Sequence, residues 1–323
     1  MKKTINMNSK FLTILTLAIV LYSCIPNKQE KRITKPIIST QKKIQFEWES
    51  FELNGKKYEH GAILLPIQLD SLNKEFKMQF DLGLNVSGIY EKPLNTIVSK
   101  YPYLKNLIKI GDDYEIIKVN TKIDHYNSTV DSLFIFKDYG DNKTYDDLSI
   151  IGSIGANELE KKILIIDFKN QTLEILKNNN ELNENQYNFV PLKYKYGKIF
   201  IPLSINGNIY NYMFDTGASI TPITTIDKSF FSEVSKNSIN LDTVKMNSWG
   251  KLATFIKTEI KVPIQIGEIN IKSQKKSIFY TEEEKIIETF NQVEVKGLIG
   301  NDFFINNIIV IDLINNKFGI SKE

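Results

Sequence analysis

Phe80-Asp81-Leu82-Gly83 and Phe214-Asp215-Thr216-Gly217 are two versions of one tetrapeptide, offset by 134 residues (81 to 215). Around them the chain repeats itself in order. Upstream, Gly61-Ala-Ile-Leu-Leu-Pro66 matches Gly197-Lys-Ile-Phe-Ile-Pro202 at an offset of 136 (61 to 197). Downstream, Gly152-Ser-Ile-Gly155 matches Gly297-Leu-Ile-Gly300 at an offset of 145 (152 to 297). From that glycine both copies run without a gap to Asp167 and Asp312, each preceded by four aliphatic residues. The change of offset puts about eleven extra residues between the middle and last parts of the second copy. Three matches in register and in order identify a duplication. Their spacing is too long for a solenoid unit, so it implies two similar domains.

The elements between these marks are short and β-rich: Ala62-Ile-Leu-Leu-Pro-Ile-Gln-Leu69, Phe76-Lys-Met-Gln-Phe80, Leu133-Phe-Ile-Phe136 and Ile163-Leu-Ile-Ile166, with turn residues between them. This pattern predicts an all-β protein. Helices are expected only over Pro93 to Lys100 and Thr281 to Phe290, where Glu282-Glu-Glu284 supplies a charged start. The Asn/Glu-rich stretch from Lys177 to Asn188 reads as a linker. The expected layout is a leader over 1–23, a tether over 24–45, a first lobe over 46–180 and a second over 181–323.

In each copy a strand delivers an aspartate to a loop, and the following glycine lets the backbone turn tightly and approach a partner loop. Two such loops meeting across an interface bring two carboxyl groups together. Like charges so close cannot both ionise cheaply, and the pair holds one proton. One member can then activate water while the other protonates a carbonyl, with no metal or organic cofactor.

Tyr212-Met-Phe-Asp215-Thr216-Gly217-Ala218-Ser219 resembles the active-site motif of the aspartic peptidases, the retropepsin-like and pepsin-like group. Gly297-Leu-Ile-Gly300-Asn-Asp-Phe-Phe304, followed by Ile308-Ile-Val-Ile-Asp312, resembles the group's second signature, in the strand crossing behind the catalytic loop. The resemblance spans most of 190–323 and, more weakly, 46–176. It implies two acid-protease-type β-barrel lobes in one chain, an intrachain pseudo-dimer that is monomeric, with the active cleft between them. It further implies that Asp81 and Asp215 are the catalytic acids of an endopeptidase acting on extended peptide or protein substrates. Thr216 would brace the opposing loop through its hydroxyl, Ser219 would hydrogen-bond the outer oxygen of Asp215, and Gly83 and Gly217 would permit the turns. A flap hairpin would close over the substrate, with its tip at Asn247-Ser-Trp249-Gly250 in lobe two and near Gly111-Asp-Asp113 in lobe one. For Trp249 an ordinary packed aromatic is an equally good reading.

Lobe one departs from the pattern. Leu82 stands where a threonine hydroxyl is expected, so half of the cross-lobe brace is missing, at a cost of about 1 kcal/mol. Asn85 stands where serine is expected and could donate to Asp81 in its place. Two functions follow: an active endopeptidase working at mildly acidic pH, or a catalytically impaired protein of the same fold that binds peptides or serves the envelope structurally. A third, pairing of lobe two with another chain, is disfavoured by the duplication within this one.

The N-terminus tells of export. Lys2, Lys3 and Lys10 precede the apolar run Phe11 to Leu21, too short for a comfortable membrane span and apt for a signal-peptide core. It ends in Leu21-Tyr22-Ser23-Cys24, which resembles a bacterial lipobox, and Cys24 is the only cysteine. The expected protein is lipid-anchored through Cys24 in a bacterial cell envelope, at a periplasmic or outer-membrane face. One cysteine excludes an intrachain disulfide, and two histidines, His60 and His125, exclude a His-rich metal site. The net charge of +3 comes from scattered lysines with acidic neighbours and leaves no nucleic-acid footprint. No phosphate loop, dinucleotide fingerprint or His-Glu-x-x-His is present. Asp141, Asp146 and Asp147 lack calcium-loop spacing and read as a solvated turn.

Overall fold

The computed structural model describes residues 43–53, 55–69, 72–123, 126–127, 132–235, 241–248, 251–271, 276–292 and 294–322. The leader, Cys24, His125, Trp249 and Gly250 lie outside the described residues.

The protein is mostly β, and its two halves are built alike. In lobe one the sheet runs, in spatial order, Ile108–Ile110, Glu115–Ile117, Leu133–Phe136, Gly88–Tyr90, Ile150–Ile154, Glu75–Phe80, Lys56–Leu69, Thr121–Ile123 and Tyr126–Asn127. In lobe two it runs Asp242–Ser248, Lys251–Glu259, Ser277–Tyr280, Ile223–Thr225, Gly297–Ile299, Asn208–Phe214, Lys198–Ile205, Gln265–Ile266 and Ile269–Asn270. Strand for strand, the second order is the first displaced along the sequence. In each lobe a further strand, Glu47–Leu53 or Lys193–Lys195, joins the sheet beside the long strand that follows it. A helix follows the short central strand in both, Glu91–Lys100 and Lys228–Val234. Most of the extra residues of copy two lie in the hairpin of Asp242–Ser248 and Lys251–Glu259, and the helix Glu284–Gln292 stands where lobe one has no helix.

A third sheet joins the lobes. Its six strands run Ile44–Gln45, Thr172–Leu176, Ile163–Asp167, Ile308–Asp312, Lys317–Ser321 and Tyr187–Pro191. The first of these reaches two residues into the stretch expected as tether, with Ile44 buried against the sheet. At its centre Ile163 pairs with Asp312, Ile165 with Val310 and Asp167 with Ile308. Ile165 and Val310 are equivalent positions of the repeat, so the pseudo-twofold axis passes between them, as in an isologous dimer interface. Asp167 and Asp312 close matching turns. Each accepts a backbone N–H through Oδ1, from Asn170 at 3.0 Å and from Asn315 at 2.9 Å, and each holds the same asparagine's side-chain amide through Oδ2.

Side-chain alternation along the central strands fixes what reaches the seam. Phe76, Met78 and Phe80 turn into the main core, as do Tyr212 and Phe214, which pack with Phe230, Phe304 and Phe318. Gln79 and Met213, in the opposite phase, share a face with the aspartates two residues on. Behind each aspartate crosses the strand of the second signature. Asp81 N–H donates to Ile154 O and Asp215 N–H to Ile299 O, both at 2.9 Å.

Candidate active site

Asp81 and Asp215 leave the ends of their strands and face each other at the lobe seam, 1 % and 0 % exposed. Each folds its carboxyl back onto its own loop. Gly83 N–H donates to Asp81 Oδ1 at 2.9 Å, and Gly217 N–H to Asp215 Oδ1 at 2.8 Å. Both glycines lie in turns, but neither has a positive φ, so of the two expected uses it is the close approach to the partner loop that demands glycine. What requires them is the opposing carboxyl. A Cβ on Gly83 would sit 2.6 Å from Asp215 Oδ1, and one on Gly217 would sit 2.6 Å from the Asp81 carboxyl.

Both Oδ2 atoms are buried without an amide or hydroxyl donor. A proton held by the pair is the donor the site otherwise lacks. Burial pushes the Asp81 carboxyl well above the ordinary carboxylate range, and the neighbouring charge of Asp215 adds to it. Asp215 is also raised by burial, but the Gly217 N–H, the Lys198 ammonium and a hydrogen bond from Asp81 oppose the rise. The pair therefore titrates as a unit, with the proton favouring Asp81 and donated toward Asp215.

The loops are bound to each other from one side. Thr216 Oγ1 accepts the Leu82 N–H at 2.8 Å and donates to Phe80 O at 2.7 Å, across the seam. Leu82, fully buried, returns no bond. Two expected contacts are corrected. Ser219 does not bond Asp215; its hydroxyl accepts from Asn301 Nδ2 at 2.9 Å. Asn85 does not donate to Asp81. It is exposed, and its side chain lies over Gly197 instead. The loop after Asp81 diverges from its twin by the fourth residue, so the side chain there no longer points at the carboxyl.

Two supporting residues have no role assigned from the sequence, although the first stands inside the second signature. Asn301, fully buried, spans Thr216 O and Ser219 Oγ, both at 2.9 Å. Its counterpart in lobe one is Ala156, and there Ser87 does the equivalent work. The Ser87 hydroxyl accepts from Gly155 N–H at 3.1 Å and donates to Glu158 Oε1 at 3.1 Å. The other is Lys198, 3 % exposed, whose Nζ donates to Gly83 O. Copy against copy, Lys198 falls opposite Ala62, in the phase that faces inward with Phe200.

No protein-family model and no curated protein matches the chain. Among solved structures it is similar to conglutin gamma, a basic 7S globulin from lupine seeds, at 10% identity and a TM-score of 0.46, covering 90% of this chain and 96% of that one. It is also similar to an aspartic proteinase from Irpex lacteus, at 8% identity and a TM-score of 0.42, covering 80% and 94%.

The sheet faces that carry the aspartates are packed differently in the two lobes. On the lobe-two side stand Phe200, Met213, Leu298, Ala218 and Ile220, under a hairpin formed by Asp242–Ser248 and Lys251–Glu259. Met246, Ala253 and Phe255 of that hairpin are buried against them. The flap tip expected at Trp249 and Gly250 lies beyond the described ends of these strands. In lobe one the matching hairpin is much shorter, Ile108–Ile110 with Glu115–Ile117, and Gly111, Asp112 and Asp113 form its turn. The matching face of lobe one is polar, with buried Gln79 beside buried Ser153, and Ser153 Oγ 2.7 Å from Tyr90 Oη.

A second hairpin, unforeseen from the sequence, crosses to lobe two. Glu47–Leu53 and the first half of Lys56–Leu69 form an arm whose Phe51 and Tyr58 stack at 5.6 Å and pack against the lobe-two cluster. Beneath it lies a cavity of about 270 Å³, lined in part by Lys56, His60, Ile220, Lys257 and Asp302. His60 sits against Trp48, at 4.9 Å between rings, with Nδ1 4.0 Å from Asp302. Asp141, Asp146 and Asp147 engage Lys143, Lys100 and Thr144.

Proposed function

We propose that this protein is an aspartic endopeptidase, with Asp81 and Asp215 as the catalytic pair. The observation that carries the reading is the meeting of two buried carboxyl groups, one from each half of a duplicated body, with both outer oxygens lacking any other donor. A packing role does not account for such a pair, because burying ionisable groups costs stability.

The chemistry balances as follows. Asp215, as carboxylate, takes a proton from water while the water oxygen bonds to the scissile carbonyl carbon. Asp81 gives its proton to the carbonyl oxygen, forming a gem-diol. Asp215 then passes its proton to the amide nitrogen, the C–N bond breaks, and a diol proton returns to Asp81 as the new carboxyl forms. The substrate is an extended peptide, added as a strand beneath the lobe-two hairpin.

A second reading, peptide binding without cleavage, is favoured by Leu82, which leaves the loops braced from one side only. Incubating the full-length protein with a peptide library separates the two. Cleavage by wild type and by neither Asp81→Asn nor Asp215→Asn supports the enzyme. Capture of peptides without cleavage supports the binding protein. Loss of cleavage in Asp215→Asn alone removes Asp81 from the mechanism. The sequence around Cys24 supports, as part of this proposal, a lipid-anchored envelope location, which radiolabelled palmitate incorporation lost in Cys24→Ala would test.

A further inference from the structure

Lys198 is the first residue after a tight hairpin turn. Tyr196 and Gly197 both take positive φ, 56° and 71°, and Lys195 pairs directly with Lys198 across the turn. This is the geometry of a two-residue hairpin loop with both central residues left-handed. It sets Lys198 on the same face as Phe200, two residues on, toward the seam. The side chain is 3 % exposed, and its ammonium ends on Gly83 O in the opposite lobe.

The repeat has no second copy of this arrangement. The equivalent residue is Ala62, fully buried, in a strand that runs on into the arm where lobe two turns back. One lysine fills the seam and its twin leaves room for it.

Gly83 is where such a bond has most leverage. Its N–H holds Asp81 Oδ1, and its Cα is the close neighbour of the Asp215 carboxyl. Lobe two thus grips the Asp81 loop twice, through Thr216 at Phe80 and Leu82 and through Lys198 at Gly83. Lobe one, with Leu82, grips back nowhere through that position.

We propose that Lys198 is a positioning residue for the carboxyl pair, supplying from lobe two the second cross-lobe brace that Leu82 cannot supply from lobe one and balancing the charge of the buried centre. One neutral acid, one carboxylate and one ammonium sum to zero, where the two acids alone, sharing one proton, would bury a net negative charge. Burial pulls the Lys198 ammonium below the ordinary lysine range, the charges of Asp215 and Asp81 oppose that fall, and the ammonium in turn favours ionisation of both acids.

The catalytic part of this inference rests on the peptidase reading; the brace does not. The test uses the full-length protein and three changes: Lys198→Met, Lys198→Arg and Leu82→Thr, the last alone and combined with Lys198→Met. In Lys198→Met, kcat is expected to fall about 10- to 100-fold with KM changed less than about 3-fold, as for a misaligned pair. The pH–rate profile is expected to move to higher pH, because an ammonium that lowered both acids is gone. Lys198→Arg keeps the profile in place. Leu82→Thr returns about 10-fold of the lost kcat in the Met background and leaves the profile shifted.

Melting temperatures of the same set read the brace without any activity. Leu82→Thr is expected to raise the melting temperature more in the Met background than in wild type. Additive melting shifts, or a Lys198→Met kcat equal to or above wild type, would overturn the proposal. A wild type that cleaves nothing defeats the peptidase reading, while the melting cycle still decides for or against the brace.

Discussion

Thr216 and Leu82 face each other across the lobe seam, and the hydrogen bond between them runs one way: the Leu82 amide donates to the Thr216 hydroxyl at 2.8 Å, and the Leu82 side chain offers nothing in return. Because the same hydroxyl also donates to Phe80 O, its loss strands two buried backbone groups. Thr216→Val is expected to cost about 2–4 kcal/mol, read from denaturant midpoints. It should lower kcat more than it raises KM, since the loops carry the carboxyls.

Gly83 and Gly217 are required by their neighbours. Gly83→Ala would push a methyl against the Asp215 carboxyl, and about 2–3 kcal/mol of stability should be lost with activity. Gly55, at φ 74° with nothing within 4 Å of a Cβ, is the control. Gly55→Ala should cost about 1 kcal/mol of backbone strain and leave activity unchanged.

The pair's proton gives a stability prediction. A carboxyl raised in the folded state contributes its stability in full below its unfolded value and loses it as the pH rises through the folded one. Asp81→Asn keeps the shape of the protonated acid, can still donate to Asp215, and leaves the Asp215 carboxylate in the field of the Lys198 ammonium. It should melt about 3–5 °C above wild type at pH 8, with the gap closing toward pH 3.5. Equal melting temperatures at pH 8 would mean that the acid is not held protonated.

Glu49, on the arm, follows the same sign. Burial, opposed by Lys143 and Lys77, pushes it up to about 7, and its Oε2 lacks a partner. Its contribution is complete below pH 4.5 and lost as the pH passes 7. Glu49→Gln should gain about 1 kcal/mol at pH 8.5, discounted for solvent screening, and nothing at pH 4. Urea midpoints at the two values measure it.

Much of this fold is legible in the chain because its marks are residue types with narrow uses. Gly152, Gly155, Gly297 and Gly300 stand where backbones cross, and Asp167 and Asp312 close equivalent turns, so both survive in each copy. The arm is not legible. Residues 47–60 alternate like any strand, and nothing in them announces that Tyr58 will rest on the other lobe. Lys198 is hidden by company: among so many lysines, one after a turn glycine reads as surface. The misreading of Asn85 has another cause. A motif position predicts a contact only while the backbones of the two copies stay superimposable, and after Gly83 they part. The helix over residues 228–234 is too short to show a period, and its start is marked only by Asp227, whose Oδ1 accepts the Phe230 N–H at 3.0 Å.

The central sheet has a consequence for any attempt to take the protein apart. Its middle ladder is made by Ile163–Asp167 and Ile308–Asp312, counterparts of each other. Severing the chain near residue 180 would strip each half of a neighbour that another molecule of the same half could replace. A lone half would carry an open, apolar strand edge already shaped to accept its own kind. It should be recovered as a homodimer, and two carboxylates of one sequence would then meet where Asp81 and Asp215 meet now.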